Sequence, residues 1–89
     1  MLLRKSTTAS ELLVKKGSRG VQISVLLASC DSNNTVLFRD ENNNIIFVLR
    51  IASRRTVGFV ENFPVIKINS DVFVSTSSSN LTDIYWESI

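Results

Sequence analysis

The sequence predicts an all-β domain, a small antiparallel β-sandwich with the jelly roll among its candidate forms. Three observations carry this. The apolar runs are short and rich in Val, Ile and Phe, which suit a pleated surface better than a helix. No stretch sustains a helical period, a heptad or a repeat of fixed length. Thirdly, the stretch TVLFRDENNNIIFVLRI, Thr35 to Ile51, has the form of a β-hairpin. Two apolar runs flank Asp40-Glu41-Asn42-Asn43-Asn44, and Asn and Asp tolerate turn conformations while hydrogen-bonding nearby backbone.

Taken in order, the first ten residues show no settled period. Glu11–Val14 reads as a first strand, or as one turn of helix opened by Ser10 as a cap, the strand being favoured because the segment stops at Lys15-Lys16-Gly17; Gly17 and Gly20 bracket a turn. Val21, Ile23, Val25 and Leu27 then alternate with Gln22, Ser24, Leu26 and Ala28, so one greasy face is expected along that run. Asp31-Ser32-Asn33-Asn34 turns the chain into the central hairpin. In its second strand Ile45, Phe47, Leu49 and Ile51 share one face, opposite Ile46, Val48 and Arg50. Thr56–Glu61 follows, with Val57 and Phe59 on one face and a gap at Gly58 on the other. Pro64 donates no ladder hydrogen bond, so it belongs at a strand start or a sheet edge, before Val65–Ile68. Asn69-Ser70-Asp71 turns back into Val72–Ser75. Leu81–Trp86 closes the domain, Ile84 and Trp86 facing one side and Tyr85 the other. About seven or eight short strands at this spacing are what a sandwich or barrel needs.

With 89 residues, 44% of them hydrophobic and 20% charged, the chain makes one globular domain near the small end of what folds unaided. Cys30 is alone and histidine is absent, so an internal disulfide and the usual zinc sites are excluded. Stabilisation by neighbouring subunits is the remaining supplement. The net charge of +2 is uneven. Residues 1–20 hold Arg4, Lys5, Lys15, Lys16 and Arg19 against the single acid Glu11, while the rest of the chain is slightly acidic. The expectation is an N-terminal basic arm over 1–16, ahead of a β-sandwich domain at 17–89. Met1-Leu2-Leu3-Arg4-Lys5 lacks the apolar core of an export signal, and no run approaches a membrane span.

Chemistry finds little footing in the residues. Without histidine, neither a Ser-His-Asp nor a Cys-His site can be built, and Cys30 fits a packed small hydrophobe. The acids are scattered among turns. Asp40, Asn42 and Asn44 have the alternating oxygens that begin a calcium loop, but Ile45 and Ile51 stand where an EF-hand needs Gly and Glu. A basic stripe interleaved with exposed aromatics, the mark of nucleic-acid binding, is missing, since Phe38, Phe47, Phe59, Phe63 and Phe73 sit at core spacing. No catalytic residue, metal ligand or cofactor follows.

From Arg19 onward the order of motifs resembles that of small single-domain β-sandwich virion proteins of tailed bacteriophages, which decorate or cement the capsid. Arg19-Gly20-Val21-Gln22-Ile23-Ser24-Val25 resembles their opening strand, and Thr35-Val36-Leu37-Phe38-Arg39-Asp40 the strand ending in an aromatic and an aspartate. Ile45-Ile46-Phe47-Val48-Leu49 resembles its return. Phe63-Pro64-Val65-Ile66-Lys67-Ile68, followed by Asn69-Ser70-Asp71-Val72-Phe73-Val74, resembles the late proline-containing hairpin, and Thr82-Asp83-Ile84-Tyr85-Trp86 the aromatic closing strand. Asn-rich turns replace the glycine usual there, and Asn supplies the left-handed conformation such turns require.

The resemblance implies a structural protein of the virion, made in the host cytoplasm, that docks on a major capsid protein or another virion protein. It also implies a symmetric homo-oligomer, with a trimer as one form. The expected contact residues are Lys15, Lys16, Arg19, Arg54 and Arg55. Two alternatives stand beside this reading: another virion component at the neck, tail or fibre attachment, and a carbohydrate- or ligand-binding sandwich using Trp86, Tyr85 or the Asn-rich loops.

Overall fold

The computed structural model describes residues 2–8, 10–77 and 80–88. These hold nine strands and no helix: β1 (Leu3–Thr7), β2 (Glu11–Val14), β3 (Val21–Cys30), β4 (Asn34–Arg39), β5 (Ile45–Ile51), β6 (Arg55–Val60), β7 (Ile66–Ile68), β8 (Val72–Thr76) and β9 (Thr82–Ser88). One sheet runs β1-β9-β3-β6, with β7 pairing β3 beyond the end of β6; the other runs β2-β8-β4-β5. Every pairing is antiparallel.

The pairs β1–β9, β2–β8, β3–β6 and β4–β5 are nested one inside the next. The chain is therefore one long antiparallel ribbon, folded at the β4–β5 hairpin and rolled so that successive nested pairs alternate between sheets. That wiring is a jelly roll. The hairpin expected over Thr35 to Ile51 is its innermost turn. Asp40 fixes that turn by accepting from the N–H of Asn42 at 2.9 Å and of Asn44 at 2.8 Å, while Asn43 takes the left-handed conformation at φ 66°.

Between the sheets lie Ile23, Leu26, Val36, Phe38, Val72, Val74 and Ile84, all essentially inaccessible, with Trp86 beside them. Truncating a residue such as Phe38 to Ala would cost about 3–5 kcal/mol. A polar pair closes one end of this core: the Asn34 side-chain N–H donates to Thr82 Oγ1 at 2.7 Å, both residues buried.

Three expectations change. Residues 1–16 do not stand ahead of the sandwich as an arm; they contain β1 and β2, an edge strand for each sheet. Leu3-Arg4-Lys5-Ser6-Thr7 shows no apolar alternation because an edge strand is held by its ladder to β9 and buries only Thr7. Secondly, Val21, Ile23, Val25 and Leu27 do not share a face. A bulge between Ile23 and Val25 shifts the register, so Val21 and Ile23 enter the core, followed by Leu26, Ala28 and Cys30. Val25 and Leu27 turn to the outer face. Thirdly, Phe63 is no core residue: it is 63% exposed. Phe38 is fully buried, whereas Phe47 and Phe59 pack edge-to-face at 5.3 Å and 78° on the flank of the core.

Candidate functional site

The expected contact residues divide between opposite ends of the sandwich. β3 pairs its first residue, Val21, with Ile68 and its last, Cys30, with Thr82 and Arg55. Ten residues of strand separate these ends, about 30 Å at the usual rise. Lys15, Lys16 and Arg19 lie in the β2–β3 connection at the Val21 end. Arg54 and Arg55 lie at the Cys30 end, where β5 turns into β6. Proximity along the ribbon hid this separation, since a nested topology sends alternate turns to alternate ends.

At the Val21 end Lys16 is engaged by neighbouring loops. Lys16 Nζ reaches Glu41 Oε1 at 3.2 Å, and its backbone N–H donates to Asp71 Oδ1 at 2.8 Å. Ser70 Oγ accepts from the Glu41 N–H at 2.9 Å and itself donates to the Asp71 carbonyl at 2.8 Å. This lattice binds the three turns of that end together. Lys15 and Arg19 are exposed around it. Asp40 is occupied in the same way: its carboxyl lies below the usual range, chiefly because the Asn44 N–H donates to it, with further help from the Asn44 side chain and the Asn42 N–H against the opposing effect of burial. Those oxygens hold the loop rather than face a ligand.

The Cys30 end differs. There a hollow of about 370 Å³ opens on the outer face of the β1-β9-β3-β6 sheet, lined by Ser29, Cys30, Asp31, Arg54, Arg55, Thr56, Leu81 and Asp83. Register explains its floor. Asp83, Ser29 and Thr56 are cross-strand partners on β9, β3 and β6, and their neighbours Ala28, Cys30, Thr82 and Ile84 point into the core, so these three point out. The arginines form one wall. Arg54 has φ 61°, a left-handed conformation that costs a residue with a side chain about 1–2 kcal/mol. Two hydrogen bonds fix it there: the Arg54 N–H donates to the Cys30 carbonyl at 3.0 Å and the Arg55 N–H to the Ala52 carbonyl at 3.1 Å. Ser53 adds its N–H to Asn33 Oδ1 at 3.0 Å and its hydroxyl to the Asp31 carbonyl at 2.9 Å.

The lining carries two arginines and two aspartates, Asp31 and Asp83. Among the described residues the ion pairs are Arg4–Asp83, Lys5–Glu11 and Lys16–Glu41, and neither Arg54 nor Arg55 belongs to one. Of the two carboxylates that line the hollow with the arginines, Asp31 is in no ion pair among the described residues and offsets part of their charge, while Asp83 is already engaged. The Ser6 hydroxyl donates to its Oδ1 and Arg4 Nη2 lies 3.0 Å from the same oxygen. Ser6, then Arg4, hold the Asp83 carboxyl below the usual carboxylate range despite partial burial. The Arg4 guanidinium is raised in turn, first by that hydrogen bond and then by the Asp83 charge, and sits 5.8 Å from the centre of the Tyr85 ring. Two guanidiniums beside the hydroxyls of Ser29 and Thr56 are equipped to take a carboxylate or another oxyanion.

Cys30 forms the inner edge of the hollow, only 5% exposed. Burial pushes its thiol up, but the Ser32 N–H and hydroxyl, with Thr82 and Asn34, outweigh that effect and leave the thiol somewhat low. Its Sγ lies 3.6 Å from Ser32 Oγ. Trp86 is turned into the core at 7% exposure and offers no ring to a ligand, while Tyr85 faces outward under Arg4. The floor residues Ser29, Thr56 and Asp83 carry no signature that sequence could show; strand register alone makes them neighbours. Compared with family models and with curated proteins, the chain matches none.

Proposed function

We propose that this chain is a non-enzymatic structural subunit of a tailed-phage virion, a capsid decoration or cement protein that docks on the major capsid protein. One observation supports it above the others: Arg54 and Arg55, in no ion pair among the described residues, are exposed on a turn whose backbone is held by hydrogen bonds, over a polar hollow at one end of a jelly roll. A single exposed arginine–carboxylate contact contributes little. Many copies on a repeating acidic shell multiply such a contact into stable occupancy. Lys15 and Arg19, at the far end of the sandwich, suit a second neighbour in the same lattice.

The test is attachment. Purified chain is titrated onto tailed-phage capsids stripped of their accessory proteins, and bound copies are counted against free concentration. Saturable binding that weakens with salt, and that Arg54→Glu with Arg55→Glu abolishes, is the expected result. No saturable attachment at any ionic strength, or attachment indifferent to both substitutions, refutes the assignment. Imaging of the bound copies separates a shell position from one at the neck or tail.

A further inference from the structure

A second hollow, of about 490 Å³, lies on the outer face of the β2-β8-β4-β5 sheet beside the β4–β5 turn. That volume falls in the range of small-molecule sites, about 300–1,000 Å³. Register builds its floor. On β8, Val72 and Val74 fill the core, so Phe73 and Ser75 point out. Arg39 is the cross-strand partner of Phe73 on β4, and Ser10 precedes Glu11, the partner of Val74 on β2. Phe73 and Arg39 are both half-buried. Arg39 Nη1 donates to the Asn43 carbonyl at 3.3 Å and to Asn43 Oδ1 at 3.4 Å, which orients the guanidinium through one of its nitrogens. Arg39 belongs to no ion pair among the described residues.

The charges around this hollow balance. Arg39 stands beside Asp40, and Glu41 on the rim is paired with Lys16, so there is no net charge to draw an ion. A wholly apolar guest would strip water from Arg39 and Ser75 without replacing their hydrogen bonds. A neutral saccharide avoids both difficulties. Its hydroxyls donate and accept, and so serve a guanidinium, an amide and serine hydroxyls alike. The C–H face of a sugar ring suits an aromatic ring, whose face is faintly negative. The geometry points to a binding site for a neutral saccharide, with Phe73 as its platform and Arg39, Asn43, Ser10 and Ser75 as its polar contacts. Asp40 supplies wall only, because its oxygens are held by the Asn42 and Asn44 N–H groups. This site lies on the other sheet from the Arg54 hollow, and the inference does not rest on the virion reading.

An array of neutral and acidic oligosaccharides, probed with the labelled full chain, tests it; the sugars that bind are then titrated while backbone amide shifts are followed by NMR. Saturable binding of at least one neutral saccharide is expected, with the shifts centred on Arg39, Asn43, Phe73 and Ser75. Phe73→Leu keeps the apolar bulk but removes the flat ring, and should weaken binding about tenfold without moving the unfolding midpoint. Ser75→Ala, which touches no core position, gives a second reading if Phe73→Leu disturbs the fold, and should weaken binding about threefold. Arg54→Glu with Arg55→Glu should leave sugar affinity unchanged, which separates this site from the docking proposed above. An array on which no neutral saccharide binds overturns the inference. So does tighter binding of acidic than of neutral sugars, a set of shifts centred on the Arg54 hollow, or an affinity indifferent to both the Phe73 and Ser75 substitutions.

Discussion

Gly58 is the position where adding one methyl group should do most damage. It lies in β6 opposite Leu27 with φ 146°, a conformation that residues with a side chain rarely adopt. A Cβ there would stand 1.9 Å from the Leu26 carbonyl oxygen and 2.8 Å from its carbon. Both are backbone atoms of the central strand β3, so no side chain can swing aside. Relief requires rotating φ and drawing β6 away from β3, which loosens the ladder that closes the sheet. The strained backbone costs about 1–3 kcal/mol, and the overpacking about 1–3 kcal/mol more. A domain of this size has about 5–15 kcal/mol in all. A loss of about 4 kcal/mol would lower the melting temperature by about 16–32 °C. Gly17→Ala is the matched control: its φ is not positive and nothing lies within 4 Å of the added carbon. It should be neutral or raise stability by about 0.4–1 kcal/mol. Urea unfolding followed by the fluorescence of Trp86, the only tryptophan and a buried one, measures both variants. If Gly58→Ala stays within about 0.5 kcal/mol of the parent, a change typical of ordinary surface positions, or Gly17→Ala is as damaged, the geometric reasoning fails.

Thr82→Val removes the acceptor that the buried Asn34 amide uses at 2.7 Å and should cost about 1–3 kcal/mol in urea unfolding. Combining it with Asn34→Leu should cost less than the two changes summed, because the second removes the group left stranded by the first. Asp83 gives a pH signature. Its folded carboxyl lies below the ordinary 3.8, so its stabilisation is present above that value and disappears as pH falls through the depressed one. Asp83→Asn should therefore be less stable than the parent at neutral pH and converge with it in acid; a constant difference across pH would show that the charge is not what matters. Removing residues 2–8 takes away β1 and its five-residue register with β9, exposing the ladder edge of β9. That truncation should aggregate or unfold in dilute urea, whereas a dispensable arm would leave the unfolding midpoint where it was.

How far the sequence reached can be judged strand by strand. β5 is found at its expected bounds, Ile45–Ile51, because Asn-rich turn chemistry on one side and a break in apolar pattern on the other mark both ends. The closing strand alternates as expected, with Ile84 and Trp86 in and Tyr85 out. What failed was whatever depends on partners remote in sequence. β1 is polar and earns its place through β9, some eighty positions away. The bulge at Ser24 reverses the parity of half of β3, and nothing in VQISVLLASC announces it, since apolar residues occupy both faces after the shift. The hollow by Arg54 was legible only in its arginines; its floor is assembled from three strands by register.

The same topology explains why charge read along the chain misplaces the surface it suggests. In a nested ribbon, turns that are consecutive in sequence fall at opposite ends, while turns far apart meet. Lys16, Glu41 and Asp71 come from three separate connections and lock one end by mutual hydrogen bonds and an ion pair. Arg54 and Arg55 come from a fourth connection and face away from that lock, with Asp83 already held by Ser6 and Arg4. Arg54 and Arg55 share the hollow with Asp31, while at the opposite end Lys16 is held by Glu41 and Asp71, and Lys15 and Arg19 stand exposed beside it. Each end therefore keeps two cations outside any ion pair among the described residues, Arg54 and Arg55 at one and Lys15 and Arg19 at the other, and substitutions at both are needed to tell which carries the proposed docking.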